Sequence, residues 1–150
     1  MIFEFIASIA AISGLFLTAY QIYAARKQIQ TSFEDDLAKE YRELASQIPT
    51  KTFFGEPFTE DEFKESIDEM YRYFDLCNHQ AFLFNTKRVS DKTWKFWKDG
   101  IDSNLKRPAF KQAWAEIAAR SGNDFSELRQ IFPPGKYPTN TSTAREQGLD

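Results

Sequence analysis

The sequence predicts an all-α protein, in which a single N-terminal transmembrane helix continues into a small cytoplasmic bundle of about four to five helices. The first observation behind this prediction is an uncharged stretch from Phe5 to Ala25. The second is that apolar residues recur every three or four positions through most of the remaining chain, as on the buried face of a helix. The third is that no segment alternates apolar and polar residues in the way a half-buried strand does.

The uncharged stretch is long enough to span a bilayer. Its 21 residues would extend about 31 Å as an α-helix, and the hydrocarbon core of a bilayer is about 30 Å thick. A buried core helix is the alternative interpretation, but such helices are usually shorter and carry a polar face. Because the chain lacks the basic start and short apolar core of a cleaved secretory signal, we expect the helix to be retained as an anchor.

The charges that flank this stretch predict its orientation. No lysine or arginine precedes it, whereas Arg26 and Lys27 follow it directly. By the positive-inside rule, the N-terminus lies outside and the rest of the chain is cytoplasmic, as in a single-pass protein of the inner (plasma) membrane. The lone cysteine, Cys77, fits a reducing cytoplasm because it cannot form an internal disulfide.

Small residues on one face of this helix predict a site of helix pairing. Ala10, Gly14 and Thr18 are spaced four apart, which would allow another helix to approach closely. A lone helix that faces only lipid is the simpler alternative. The predicted partners are therefore the lipid bilayer and either another membrane protein or a second copy of this chain.

Three regions follow from the pattern as a whole: an anchor at 1–25, a helical cytoplasmic domain at 26–132 and a disordered tail at 133–150. The domain begins with an amphipathic helix that directly continues the anchor and ends before Pro49. Its apolar stripe consists of Ile29, Phe33, Leu37, Tyr41, Leu44 and Ile48.

The next helix has the clearest local start signal in the chain. Thr59 and Glu62 have the spacing of a capping box, and Phe58 and Phe63 have that of a hydrophobic staple. These signals predict a helix that runs to about Phe84.

Three further helices are predicted from caps and breakers. Ser90 caps the first, Pro108 begins the second, which stops at Gly122, and a short third helix covers Phe125 to Phe132. Tryptophans lie on the apolar stripes of the first two of these helices. We therefore expect one aromatic cluster made of Trp94, Trp97, Trp114, Phe74 and Phe110.

Charge is unevenly distributed, although the formal net charge is only −3. Between Glu34 and Asp75 there are 13 acidic and 5 basic residues, whereas between Lys87 and Lys111 there are 8 basic and 3 acidic residues. The start of the second segment interleaves aromatic residues with basic ones, which are Lys87, Arg88, Lys92, Lys95 and Lys98.

This basic aromatic segment, 87–111, has three interpretations. It could bind single-stranded nucleic acid or anionic lipid headgroups. Alternatively, the tryptophans are core residues and the lysines form the solvated face of the same helix, which the shared stripe with Ile101 and Leu105 favours. It could also pack beside the acidic helix that begins at Glu60.

One polar cluster on the second predicted helix is a candidate for catalysis. Asp75 and His79 are four residues apart on one helix face, whereas Cys77 lies about 200° around the helix from each of them. A satisfied polar helix face explains these residues better than a catalytic dyad does. The chain also lacks the glycine-rich phosphate loop, the nucleophile elbow and the metal-ligand spacings of known sites. We therefore predict no catalytic, cofactor-binding or metal-binding residues, and nucleic acid is not a favoured partner.

Three stretches of the domain resemble one family of proteins. The stretches are Tyr73-Phe-Asp-Leu-Cys77-Asn78-His-Gln80-Ala81-Phe82, Trp94-x-x-Trp97-x-x-Gly100-Ile-x-x-Asn104-Leu and Arg107-Pro108-Ala-Phe110-x-x-Ala-Trp114. They resemble a family of small uncharacterised bacterial proteins with one N-terminal membrane helix and a helical cytoplasmic domain. The likeness covers about Glu40 to Ile117, implies the same architecture and a bacterial or phage source, and implies no activity or site residue.

The function predicted from the sequence is that of a membrane-anchored accessory or adaptor protein that acts by protein–protein interaction. The alternative is a bacterial or phage defence effector that acts on membrane or nucleic acid through segment 87–111. An enzyme that uses the cluster of Asp75 and His79 is the third hypothesis.

Overall fold

The computed structural model describes the backbone of residues 2–137 and the side chains of residues 13–137. All regular secondary structure in this part of the chain is helical, which confirms the all-α prediction. Two 3₁₀ turns, Thr50–Phe54 and Pro134–Lys136, supplement the helices. The helices are α1 (Ile2–Gln47), α2 (Glu60–Asn85), α3 (Asp91–Leu105), α4 (Pro108–Arg120) and α5 (Ser126–Ile131). The chain divides into two compact units, Met1–Leu37 and Ala38–Asp150.

The prediction of a transmembrane helix is wrong. The helix α1 is continuous, but among the described residues no helix combines the length and the apolarity that crossing a membrane requires. The predicted placement in the inner membrane, with the N-terminus outside and a cytoplasmic domain, is therefore wrong as well.

The start of α2 confirms the predicted capping box and hydrophobic staple. The backbone N–H of Glu62 donates to the hydroxyl of Thr59 at 3.3 Å, and the backbone N–H of Thr59 donates to the Glu62 carboxylate at 2.8 Å. The rings of Phe58 and Phe63 meet edge to face, with their centroids 6.1 Å apart. The chain therefore enters α2 in a fixed direction, and α2 then packs against α3, α4 and α5.

The capping carboxylate predicts a pH dependence of stability. The ammonium of Lys51, 2.7 Å from Glu62, and the Thr59 N–H lower the pKa of Glu62 from 4.5 to about 2. Since the folded-state pKa is depressed, this stabilisation is complete above pH 4.5 and is lost as the pH falls towards 2. We expect Glu62→Gln to be less stable than the wild type at pH 7, and the difference to shrink between pH 4.5 and 2.

Urea unfolding at several pH values measures this difference. Glu65→Gln, at an exposed carboxylate of the same helix, is the control and should follow the wild type throughout. A difference between Glu62→Gln and the wild type that stays constant down to pH 2 would contradict the prediction.

The main core lies around α2 and α4. Trp114 is 1% exposed, and its ring centroid lies 5.0 Å from that of Phe74. Phe110 belongs to the same cluster. Trp94 instead stacks on Phe84 at 5.0 Å, and Trp97 is buried outside this cluster. The prediction that all three tryptophans meet in one cluster is therefore wrong for Trp94 and Trp97, because residues of one buried stripe can pack against different neighbours.

Contacts distant in sequence hold the C-terminal elements. The side-chain carbonyl of Asn78 accepts the backbone N–H groups of Glu127 and Leu128 at 3.1 and 3.0 Å, which satisfies the exposed N–H groups at the start of α5. Tyr137 is buried and donates its hydroxyl to Asp102. Packing thus continues to Tyr137, five residues into the region predicted as a disordered tail, and residues 138–150 lie outside the described part of the chain.

Candidate functional site

The structure does not bring the polar cluster of α2 together. Asp75 and His79 are exposed, whereas Cys77 is fully buried in the main core. Burial raises the pKa of the Cys77 thiol from 9.0 to about 12. A buried thiol with a raised pKa stays protonated and behaves as a small hydrophobic side chain, so Cys77 is a core residue and not a nucleophile.

Metal-ligating side chains do not converge in the described part of the chain. Between residues 13 and 137, no three histidine, cysteine, aspartate or glutamate side chains lie close enough together to hold a metal ion.

The basic aromatic segment separates into buried and exposed side chains. Trp94 and Trp97 are buried, whereas Phe96 is 78% exposed. Lys95 pairs with Asp99 at 2.9 Å, within the same helix. Among the five basic residues named from the sequence, Lys92 and Lys98 are exposed on α3, and Lys87 and Arg88 are exposed in the preceding turn.

Two further cations of this segment have local partners. Lys106 pairs with Asp102 at 2.6 Å, and the Lys87 ammonium lies 5.1 Å from the centre of the Phe84 ring. The segment therefore offers an exposed lysine face with one exposed aromatic ring, whereas its two tryptophans are buried.

The ladder of small residues in α1 is exposed where it is described. A Cβ added at Gly14 would meet nothing within 4 Å. The Thr18 hydroxyl donates to the Gly14 carbonyl at 2.9 Å, and the side chain of Ala10 lies outside the described residues. Helix pairing through this ladder stays a prediction.

A larger apolar surface surrounds the ladder, and sequence reasoning had assigned it to lipid. Seven large apolar side chains in this part of α1 are each more than half exposed, from 52% for Ile22 to 73% for Phe16. They are Leu15, Phe16, Leu17, Tyr20, Ile22, Tyr23 and Ile29. Scattered exposed apolar residues are normal, but a contiguous set marks an interaction surface. We call residues 13–32 of α1 the apolar segment.

The large and small residues of the apolar segment have a regular spacing. Leu15, Ile22 and Ile29 recur every seven residues, and the small residues Thr18 and Ala25 lie between them. Ser32 continues the series, so the spacing is three and four in alternation, which is the heptad pattern of a helix that pairs with another helix. All six side chains are exposed.

No family model, curated protein or solved structure matches this chain. The resemblance to a family of small bacterial proteins therefore stays a prediction. The surfaces described above are the basis for assigning a function.

Proposed function

We propose that this protein is an adaptor that acts by protein–protein interaction and that self-associates through the apolar segment. The observation that carries the proposal is the set of seven exposed, large apolar side chains between Leu15 and Ile29. Burying one such side chain is worth about 1.5–3 kcal/mol, so a second helix along this surface would gain substantial free energy. No three histidine, cysteine, aspartate or glutamate side chains converge among residues 13–137, so a metal-dependent enzyme has no comparable support.

The heptad series supports an antiparallel pair of helices. In such a pair each first heptad position faces a fourth position of the other copy. Leu15 then faces Ser32, Thr18 faces Ile29 and Ile22 faces Ala25. Every layer combines one large and one small side chain, which keeps the distance between the helix axes constant and leaves no voids.

A parallel pair would fit this sequence less well. Large residues would meet large ones at Leu15, Ile22 and Ile29, whereas the layers at Thr18 and Ala25 would be underpacked.

A second apolar face supports the adaptor role. Phe16, Tyr20 and Tyr23 are spaced four and three residues apart and lie outside the heptad series. A two-helix pair would leave these side chains exposed. Aromatic residues are enriched in the energetically important parts of protein interfaces. We therefore assign the binding of a partner protein to this face and dimerisation to the heptad face.

Size-exclusion chromatography of the full chain with light-scattering detection, which measures the molar mass, tests the proposal. The wild type should be dimeric at micromolar concentration, and Ile22→Glu combined with Ile29→Glu should weaken the dimer at least tenfold, since it places charges in an apolar interface. Phe54→Glu, at an apolar side chain that is 81% exposed outside α1, is the matched control and should leave the dimer unchanged. A wild type that is monomeric at 100-fold higher concentration would contradict the proposal.

The defence effector that acts on nucleic acid is the second candidate, favoured by one observation. The ring of Phe96 is 78% exposed and lies on α3 beside the exposed side chains of Lys92 and Lys95. An exposed ring beside cations can stack on a base while the lysines contact phosphates.

The lysine face predicts the salt dependence of any such binding. If this surface binds single-stranded RNA, affinity should fall steeply with salt, and Lys92→Glu, Lys95→Glu and Lys98→Glu together should abolish binding. Fluorescence anisotropy with a labelled oligonucleotide measures both effects. Binding that survives the triple substitution would remove this surface as the site.

A further inference from the structure

A groove of about 400 Å³ opens in the unit Ala38–Asp150. Its walls come from the end of α1, the middle of α2 and the exposed side of α3. Aromatic and aliphatic side chains make up most of the lining: Ala38, Tyr41, Phe96, Trp97 and Ile101. This volume, and an apolar lining with few polar groups, are typical of a small-molecule site.

The amide of Gln80 is the unexplained polar group of this groove. The residue is 2% exposed and lines the groove, and no hydrogen bond of the described residues involves its side chain. Its amide atoms are not among the fully buried unpaired atoms, so they keep contact with the groove. Buried polar groups in folded proteins are nearly always paired, because an unpaired one costs free energy. An amide that reaches a groove and has no partner among the described residues is available to pair with a bound molecule.

The chemistry of this amide limits what the partner can be. A carboxamide presents N–H donors and a carbonyl acceptor side by side, so it pairs best with a group that carries an adjacent acceptor and donor. The edges of nucleobases have this arrangement, and glutamine pairs with them through two hydrogen bonds. Trp97 and Tyr41 add flat walls on which a planar ring can stack.

The charged residues that line the groove favour a ligand that carries an anionic group. Arg42 is an exposed residue of the lining and forms no ion pair among the residues described. The other charged lining residue, Asp99, is already paired with Lys95 at 2.9 Å. The guanidinium of Arg42 is thus the uncompensated charge of the groove, and arginine binds phosphate and carboxylate groups in a two-pronged geometry.

We propose that this groove binds a small planar nitrogen heterocycle that carries an anionic group, the chemical class to which nucleotides belong. The heterocycle edge pairs with the Gln80 amide, its ring lies against Trp97, and the anionic group meets Arg42. Gly100 leaves the floor open, since a Cβ added there would meet nothing within 4 Å.

Calorimetric titration of the full chain with each of the four ribonucleoside 5′-monophosphates tests the proposal. We expect at least one of them to bind with a dissociation constant of millimolar or lower. Gln80→Leu, which removes the amide, and Gly100→Leu, which fills the groove, should each weaken binding by about tenfold or more. Gln112→Leu, at an exposed glutamine of α4 outside the groove, is the matched control and should bind as the wild type does.

Two further measurements make the outcome decisive. Thermal melting should show Gln80→Leu to be at least as stable as the wild type, because the amide makes no hydrogen bond to another described residue. A large loss of stability would identify Gln80 as structural and overturn the proposal. An eight-nucleotide single-stranded RNA is titrated in parallel. Failure of all four mononucleotides at millimolar concentration overturns the proposal, whether or not the RNA binds, as does binding that Gln80→Leu and Gly100→Leu leave unchanged.

Discussion

Replacing Trp114 with alanine is expected to lower the free energy of unfolding by about 3–5 kcal/mol. The indole ring is 1% exposed, lies 5.0 Å from Phe74 and 5.8 Å from Phe125, and donates its N–H to the Phe132 carbonyl at 3.1 Å. The substitution therefore leaves a closed cavity and an unpaired carbonyl. Since domains of this size are stable by about 5–15 kcal/mol, the variant should be partly unfolded or protease-sensitive at 37 °C.

Trp97→Ala is the matched control for this prediction, because the sequence places both tryptophans on the apolar stripe of a helix. Trp97 is 9% exposed and lines an existing groove, so its removal widens an opening that water can already enter. An empty cavity adds to the loss of stability only where a closed void forms. We therefore expect Trp97→Ala to lower the free energy of unfolding clearly less than Trp114→Ala does. Urea unfolding of both variants measures the difference, and equal losses would contradict it.

Local signals in the sequence predict the helices well. The capping box of Thr59 and Glu62, the Ser90 cap, and Pro108 at the first turn of α4 lie where the structure has helix starts. The positive φ of 55° at Gly122 fits the predicted stop after α4, since only glycine adopts that conformation without strain. Each of these features depends on residues within four positions of one another, so a single stretch of sequence contains the whole interaction.

The errors arise where the partner of a residue lies far along the chain. Helical periodicity indicates which face of α3 is buried, but not that Trp94 stacks on Phe84 while Trp97 borders a groove. The anchoring of α5 by Asn78 and of Tyr137 by Asp102 has no local signature either. The wrong prediction of a transmembrane helix at the apolar segment has another cause. The length of an uncharged stretch alone does not show whether a helix faces lipid, water or another protein.

The groove could have been suspected from one feature of the sequence. Gln80 lies on the buried stripe of α2, between Cys77 and Ala81, where an apolar residue is the ordinary choice. A polar residue on such a stripe indicates a hydrogen-bonded pair or a site. The choice between these depends on α1 and α3, which approach Gln80 only in the folded chain.

Replacing Tyr73 with phenylalanine is expected to cost about 1–3 kcal/mol, although it removes only one oxygen atom. The Asn104 amide donates to the Tyr73 hydroxyl at 2.8 Å, and both residues are buried. Without the hydroxyl, the Asn104 amide loses this partner and cannot reach solvent. Tyr71→Phe, at an exposed tyrosine of the same helix, should cost much less.

A double-mutant cycle separates the cost of the orphaned amide from that of lost packing. Asn104→Leu in the Tyr73→Phe background removes the unpaired donor and substitutes an apolar group of similar size. Because replacing both partners of a buried hydrogen bond with apolar groups can be nearly neutral, the double variant should be more stable than Tyr73→Phe alone. Thermal melting should detect this, since 1 kcal/mol corresponds to about 4–8 °C in a domain of about 100 residues. A double variant less stable than Tyr73→Phe would instead show that Asn104 stabilises the domain mainly through its bond with Arg107 at the end of α3.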